Sequence, residues 1–409
     1  TLENTLNVIF LPRNPSDCAG CRQGKLFFRL FLWKAVFGTT NTQKGERRVK
    51  KTLILSACAV MLGSSAYAGG LDRSGQSMSI LFEKGTYAEL SFGMIKPTAS
   101  GVGNGTVNTE TISNVANNYS QTQLGFKTDV NDQLSYAIIL DQPFGSDTAY
   151  GATGVNFGST GAKINSSAIT TMLRYKFSDR ISVHGGLRAQ TINSDLSLGG
   201  AGFGGFGLQY AATFASNMGL GYSVGAAYEI PEIALRVALT YNSKVKHNFA
   251  TTENGASTGI TNVETPESWN LEFQSGIAAD TLVFGSIRYA KWGDFDVIPP
   301  VFGADLADLD DSTTYNIGIG RKFSDKLSGS ISLSYEKEGD PLVSPLSPTN
   351  GKLGIGLGLK YTMDIVEISG GVSYTKVGDA NPKSGTNVAL ANFSGNNALA
   401  FGMKIGYRF

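Results

Sequence analysis

Beyond residue 69 this chain has no run of the 18 or so consecutive apolar residues that a membrane-spanning helix requires, yet segment after segment alternates apolar with small or polar residues. The clearest case is Leu353-Gly-Ile355-Gly-Leu357-Gly-Leu359-Lys-Tyr361, apolar on one face and glycine ending in lysine on the other. Leu327-Gly329-Ile331-Leu333-Tyr335 alternates with serines in the same way, and Ile233-Leu235-Val237-Leu239-Tyr241 with Ala234, Arg236, Ala238 and Thr240. In a sandwich such faces would pack on one another. In a closed barrel they face acyl chains, and strands are the only other way a chain crosses lipid.

About fourteen such segments can be counted: 86–95, 119–128, 134–142, 163–177, 180–191, 217–229, 232–248, 265–277, 280–292, 313–323, 326–336, 351–361, 364–376 and 397–409. Their connections alternate between very short ones, such as Ser178-Asp179, Pro231 and Ser324-Asp325, and long ones at 143–162, 193–216, 293–312 and 377–396. Short periplasmic turns and long outer loops are the pattern of outer-membrane barrels. Aromatic residues punctuate the strand ends as girdles, with Tyr175, Phe177, Tyr228, Phe323 and Tyr361 near turns, and Tyr241, Tyr289, Trp292, Tyr335 and Tyr374 toward the long loops. The last segment closes on Phe401-Met403-Ile405-Tyr407-Phe409, and its C-terminal aromatic resembles the recognition signal read by barrel-assembly machinery. The expected fold is all-β, an antiparallel transmembrane barrel of about 14 strands.

Charge divides the chain unevenly. Ten of the 34 basic and three of the 33 acidic residues precede Gly69, leaving 24 against 30 and a net charge near −6 on the remainder, which argues against nucleic-acid binding. Lys50-Lys51, the apolar stretch 53–62 and Ala66-Tyr67-Ala68 read as the three regions of a secretory signal at 49–68. Residues 1–48 read as translated upstream sequence, with Val49 as the candidate start; the Cys18-Ala19-Gly20-Cys21 pair within them lacks a second pair or a βαβ context for redox or metal chemistry. Leu55-Ser56-Ala57-Cys58 resembles a lipoprotein box, but only about six apolar residues precede it, so cleavage after Ala68 is the reading. No cysteine follows Cys58, so the later part has no disulfide.

Facing away from the lipid stripe are Arg174, His184, Arg188, Arg236, Glu272 and Arg288, with Glu89, Lys176, Lys360, Glu367 and Lys404. These form a lumen lining, either as mutually compensating ion pairs that keep the interior hydrated or as contacts for a ligand carboxylate. The two histidines, His184 and His247, fall on different strands, so no metal site is expected. There is no G-x-S-x-G elbow, no H-E-x-x-H and no cysteine nucleophile, and the G-x-G strings lack the strand-to-helix context that phosphate binding needs; no catalytic residue and no cofactor are expected.

Several segments together resemble the FadL/TodX family. Gly69-Gly70-Leu71-Asp72-Arg73-Ser74-Gly75-Gln76-Ser77 is similar to that family's inward-folding N-terminus, Asp141-Gln142-Pro143-Phe144-Gly145-Ser146-Asp147 to its Pro-Phe-Gly strand end, residues 221–249 to its glycine-rich strand and the following Tyr-Asn-Ser-Lys-Val-Lys strand, and Thr265-Pro266-Glu267-Ser268-Trp269 to its Pro-Glu-x-Trp strand start. The resemblance implies a fourteen-stranded barrel at 86–409 plugged by a short hatch at 69–85, located in the bacterial outer membrane. It also implies capture of a long-chain fatty acid or another hydrophobic ligand at the outer loops, and passage through a gap in the wall without an energy source. The candidate capture surface is the apolar run Phe203, Phe206, Leu208, Tyr210, Phe214 and Met218, against which stands simple self-packing of a folded loop. Pro143 with Phe144 is the candidate strand kink and lateral gate, because proline cannot donate to the ladder. The family's Asn-Pro-Ala-Gly stretch is missing between Ser77 and Tyr87, so a smaller plug is expected. A general diffusion porin and an adhesin or receptor barrel are the alternatives, the first expected to carry a charged constriction loop instead of the apolar run. Outer-membrane lipids are the expected surroundings, and a monomer the expected state, since closure leaves no edge to pair.

Overall fold

The computed structural model describes residues 71–105, 108–205 and 208–409; the signal and upstream readings at 1–68 and the capture candidate Phe206 lie outside the described residues. The strands of the closed sheet are β1 Tyr87–Pro97, β2 Tyr119–Asp129, β3 Leu134–Asp141, β4 Gly161–Lys176, β5 Ile181–Gly199, β6 Gln209–Ile230, β7 Leu235–Asn242, β8 Ser268–Ala278, β9 Thr281–Ala290, β10 Ser312–Lys322, β11 Leu327–Glu336, β12 Lys352–Met363, β13 Val366–Val377 and β14 Asn397–Arg408. Each pairs antiparallel with its neighbour in sequence, and β1 closes the ring on β14 from Tyr87 opposite Arg408 to Pro97 opposite Ala398. The fold is a fourteen-stranded antiparallel barrel, as the alternation and the even segment count indicated.

Its burial runs opposite to that of a soluble protein. Leu220 is 73% exposed, Leu187 69% and Leu359 58%, while Ser182, Thr170 and Ser223 across the pleat are buried. The large apolar side chains form the outer band and the hydroxyl-bearing ones face inward, which is the arrangement lipid imposes. Tight turns join the strands at one end. Asp280 and Asp364 take φ of 56° and 42° there, a left-handed conformation that a short polar side chain tolerates.

At the other end the sheet outgrows the barrel. β5 and β6 extend well past the expected strand limits, so most of the anticipated 193–216 loop is paired, from Ser194 opposite Phe214 to Gly199 opposite Gln209. A further hairpin, Val245–Glu253 with Ala256–Thr265, is inserted between β7 and β8 and returns to β6 through Thr251 opposite Phe214. Trp292 departs from the girdle expectation. The chain turns inward after Ala290, and Trp292 is 1% exposed within an apolar cluster of the long-loop end.

Glycine permits close packing at one wall position in particular. A Cβ on Gly186 would stand 1.8 Å from the Thr171 carbonyl and 2.6 Å from Met172 Sδ, and Met172 is fully buried in the cluster beneath. Replacing Gly186→Val therefore forces β4 and β5 apart. The expected result is a loss of stability of about 2 kcal/mol or more, read as a lower urea midpoint for the heat-modifiable folded band.

Candidate functional site

The long-loop end encloses an apolar cavity of about 70 Å³. Ile164, Ile192, Leu196 and Phe214 reach it from the extended β4, β5 and β6, Phe249 and Val263 from the inserted hairpin, and Leu71 and Phe144 close its barrel side. Trp292, Phe295, Val297, Leu306 and Leu309 cover it from the segment 292–311. Among the described residues that line it the only polar side chains are Ser146, Ser194, Thr265 and Ser347, and none is charged.

The covering segment is pinned by one carboxylate. Glu253, at the tip of the inserted hairpin, accepts hydrogen bonds from the backbone N–H groups of Val301 (3.0 Å) and Phe302 (2.8 Å) and from the Tyr210 hydroxyl (2.8 Å). Phe302 packs against Tyr210 and Phe203, with ring centroids at 4.7 and 6.1 Å. Burial alone would raise the Glu253 carboxyl, but the hydrogen bonds from Thr258, Val301, Tyr210 and Phe302 outweigh it and hold the group below the ordinary glutamate value.

Beneath the cavity the segment after Leu71 is fastened inside the barrel by polar side chains. Arg288 donates to both Asp72 oxygens, at 3.0 and 2.6 Å, and also to Ser268 and Asn270. Ser77 donates to Glu272 at 2.5 Å, and Asn270 donates to the carbonyls of Gly75 and Gln76. The 3-10 turn Ser79–Phe82 buries Ile80 and Leu81, and Ile80 reaches to where a side chain on Gly125 would stand. Phe82 lies between the guanidinium groups of Arg174 and Arg236, 4.4 and 4.5 Å from its centroid, with the His184 ring at its edge. Arg174 also pairs with Glu229, and Arg408 with Glu83 and Glu367.

The wall changes at Pro143. β3 ends at Asp141, and the chain resumes as a short strand, Gly145–Ala149, paired with β4. β2 pairs with β3 only from Leu124 opposite Leu140 onward, so its earlier residues Tyr119 to Gln123 have ladder partners on β1 alone. The Gln142 side chain substitutes once, accepting from the Thr122 N–H at 3.1 Å. Pro143 and Phe144 are drawn to the plug instead: Arg73 N–H donates to the Pro143 carbonyl, Gly145 N–H to the Leu71 carbonyl, and Asp72 bridges Phe144. The apolar cavity ends at Leu71 and Phe144. On the far side a second cavity of about 270 Å³, with charged side chains among its lining, begins at Asp72 and reaches Gln121, Thr122 and Gln142 at the interrupted ladder.

The candidate residues thus divide. Phe214 lines the apolar cavity, Tyr210 and Phe203 pack beside it under Phe302, and Leu208 and Met218 are 55% and 64% exposed elsewhere. Arg236, Glu272 and Arg288 line the second cavity, and Arg174, His184 and Arg188 are buried on the same inward face, where Arg188 bonds Thr170 and His184 bonds Thr240. The sequence reading missed the cover 292–311. Its signal was Trp292, Phe295, Val297, Phe302, Leu306 and Leu309 spaced through an otherwise aspartate-rich loop.

The sequence model of the family described as outer membrane protein transport protein (OMPP1/FadL/TodX) matches residues 78–409. A comparison with curated proteins gave no match. Among solved structures, a FadL homologue of Pseudomonas aeruginosa superposes with a TM-score of 0.64 at 13% identity, covering 85% of this chain and 96% of that one. The toluene transporter TodX of Pseudomonas putida gives 0.59 at 15%, covering 84% and 96%. The CymD monoaromatic hydrocarbon channel gives 0.52 at 14%, covering 80% and 89%. At these identities the structural likeness establishes the fold.

Two outcomes follow from the fastenings. Arg288→Met leaves Asp72 without its charged partner and should weaken the seating of the plug by about 2–4 kcal/mol, read as faster amide exchange over 71–78 and higher conductance in planar bilayers. Because the Glu253 carboxyl lies below its ordinary value, its pinning is complete above the ordinary glutamate range and fades as pH falls through the lowered value. Protection of the Val301 and Phe302 amides, measured against the intrinsic exchange rate at each pH, should fall only on that acidic side, and in Glu253→Ala it should be low at every pH.

Proposed function

Since the chain belongs to the outer-membrane transport family that includes FadL and TodX, it is an outer-membrane β-barrel channel for hydrophobic compounds and not an enzyme, and we propose that it takes up long-chain fatty acids or hydrocarbons passively and releases them sideways into the lipid. The observation that carries this reading is the contiguity of three features. An apolar cavity without a charged lining side chain ends at Leu71 and Phe144, and the ladder between β2 and β3 is interrupted beside those residues at Pro143.

A hydrophobic molecule gains by leaving water for such a cavity, at roughly 25 cal/mol per Å² of apolar surface covered. The next step inward is the second cavity, where Arg236, Glu272 and Arg288 stand among its lining and reduce that gain. Exit through the wall at Pro143 and Phe144 avoids it, with acyl chains on the far side. In this reading the lumen charges serve to seat the plug and keep the interior polar, and Phe214 with Phe249, Val263 and Trp292 forms the capture site, with Phe203 and Tyr210 in support. The similar structures named as a toluene transporter and a monoaromatic hydrocarbon channel place aromatic hydrocarbons beside fatty acids as cargo to test. Exposed Phe409 supports recognition by the assembly machinery, and the closed ring supports a monomer.

The test is uptake of radiolabelled oleate and toluene by cells with and without the gene, and with Phe214→Ser. Saturable uptake of either compound should vanish on deletion and weaken about tenfold in the variant, as expected for removing a buried aromatic contact, while the folded band is retained. Uptake equal in all three strains would refute the capture and release reading.

A further inference from the structure

Two fully buried polar groups stand directly behind residues that line the apolar cavity and find no hydrogen-bond partner in the protein among the described residues. They are the amide Nε2 of Gln190, 0% exposed, and Nε2 of His247, also 0% exposed. A buried polar group left unpaired costs more than a hydrogen bond returns, so such groups are rare and point to something that pairs with them.

Both abut the cavity lining. Gln190 Oε1 accepts from the Thr265 hydroxyl at 3.3 Å, and Thr265 is a lining residue. The His247 ring stacks on Phe249, another lining residue, with centroids 5.5 Å apart. Gly219 is a neighbour of both: it is the ladder partner of Gln190, and a Cβ built on it would stand 3.2 Å from His247 Cε1. The lining adds a third group of this kind, the buried indole N–H of Trp292.

The two unpaired atoms differ in kind. Oε1 of Gln190 already accepts, so its Nε2 is a free donor. Nδ1 of His247 faces the Asn217 carbonyl at 3.2 Å and so carries the proton, which leaves Nε2 of the neutral ring as a free acceptor. One donor beside one acceptor matches a hydroxyl, which accepts from the first and donates to the second. A hydrocarbon would leave both unpaired, and a carboxylate, which only accepts, would set its charge against the imidazole lone pair with no cation in the lining.

We propose that Gln190 and His247 form a hydroxyl seat beside the cavity, so that the channel prefers hydrophobic alcohols and phenols over hydrocarbons and carboxylates of the same shape. This rests on the cavity being the capture site. The test is calorimetric titration of the whole barrel in nanodiscs with p-cresol, p-xylene and p-toluate, which differ only in hydroxyl, methyl and carboxylate, with binding to empty nanodiscs subtracted.

The wild-type barrel should bind p-cresol about tenfold more tightly than p-xylene and p-toluate most weakly, as two hydrogen bonds to otherwise unpaired groups provide. Gln190→Met and His247→Phe, each checked for the heat-modifiable folded band, should bring that ratio close to one. Equal wild-type affinity for p-cresol and p-xylene, tightest binding of p-toluate, or a ratio that survives both substitutions would overturn the seat. Where p-xylene then still binds saturably and Phe214→Ser weakens it, the capture reading stands without the seat; absence of saturable binding by all three removes both. Should one substitution prevent folding, the wild-type series and the other variant decide.

Discussion

Every main-chain N–H and C=O of this barrel that lies at membrane depth must find a partner within the protein, because lipid offers none. The ring closed by β1 on β14 meets that demand for all strands at once, and much of the sequence serves it. Glycine and serine alternate through the inward face because fourteen strands enclose a lumen that bulky side chains need not fill. The outward face carries the leucine and isoleucine that elsewhere would form a core. With the lumen left open, something has to close it. The segment after Leu71 does so without a hydrophobic core of ordinary size, and is held by charge-assisted bonds such as Arg288 to Asp72 in surroundings where few competing waters reach them.

Against that demand the interruption at Pro143 is expensive, and its neighbours show how the cost is contained. Proline has no N–H to leave unpaired, its carbonyl is taken by Arg73, and the Phe144 N–H and carbonyl are both met by the Ser166 hydroxyl, at 2.8 and 2.6 Å. Thr122 across the break is satisfied by the Gln142 side chain. The wall is thus opened in its ladder while the polar groups at its edges are quenched, and the plug is the element that takes up the diverted strand. Plug and wall are accordingly one mechanical unit at this point: moving Leu71 and Arg73 withdraws partners from Gly145 and Pro143 together.

The barrel was legible in the sequence because a period of two is a local signal, repeated fourteen times and punctuated by short turns. Thirteen segments each correspond to one barrel strand, while 232–248 runs through β7 into the first strand of the inserted hairpin, and the errors sit where sequence loses its period. β5 and β6 continue past the expected limits through Asp195, Ser197 and Thr213, where the apolar stripe changes sides and Leu196, Tyr210 and Phe214 face inward, so the lipid-facing pattern no longer marks the strand. The inserted hairpin was hidden in the same way, since Thr251, Thr252 and Glu253 look like loop until their pairing is seen. The cavity was legible only in part. Phe214 belonged to a conspicuous apolar run, whereas Phe249, Val263 and Trp292 come from elements separated by tens of residues, and Trp292 looked like a girdle aromatic because burial at a strand end depends on which way the next turn leads.

Polarity along the path orders these pieces. The outer cavity is apolar at Phe214 and Val263, with Gln190 and His247 as buried, uncharged polar groups behind its Thr265 and Phe249, and the second cavity is bordered by the charged Arg288 and Glu272. In the proposed reading, a molecule that is apolar throughout meets a rising penalty along that line and leaves at the wall, whereas one that ends in a polar group seats that end where its neighbours are polar without being charged. Glu253 ties down the cover without entering the cavity.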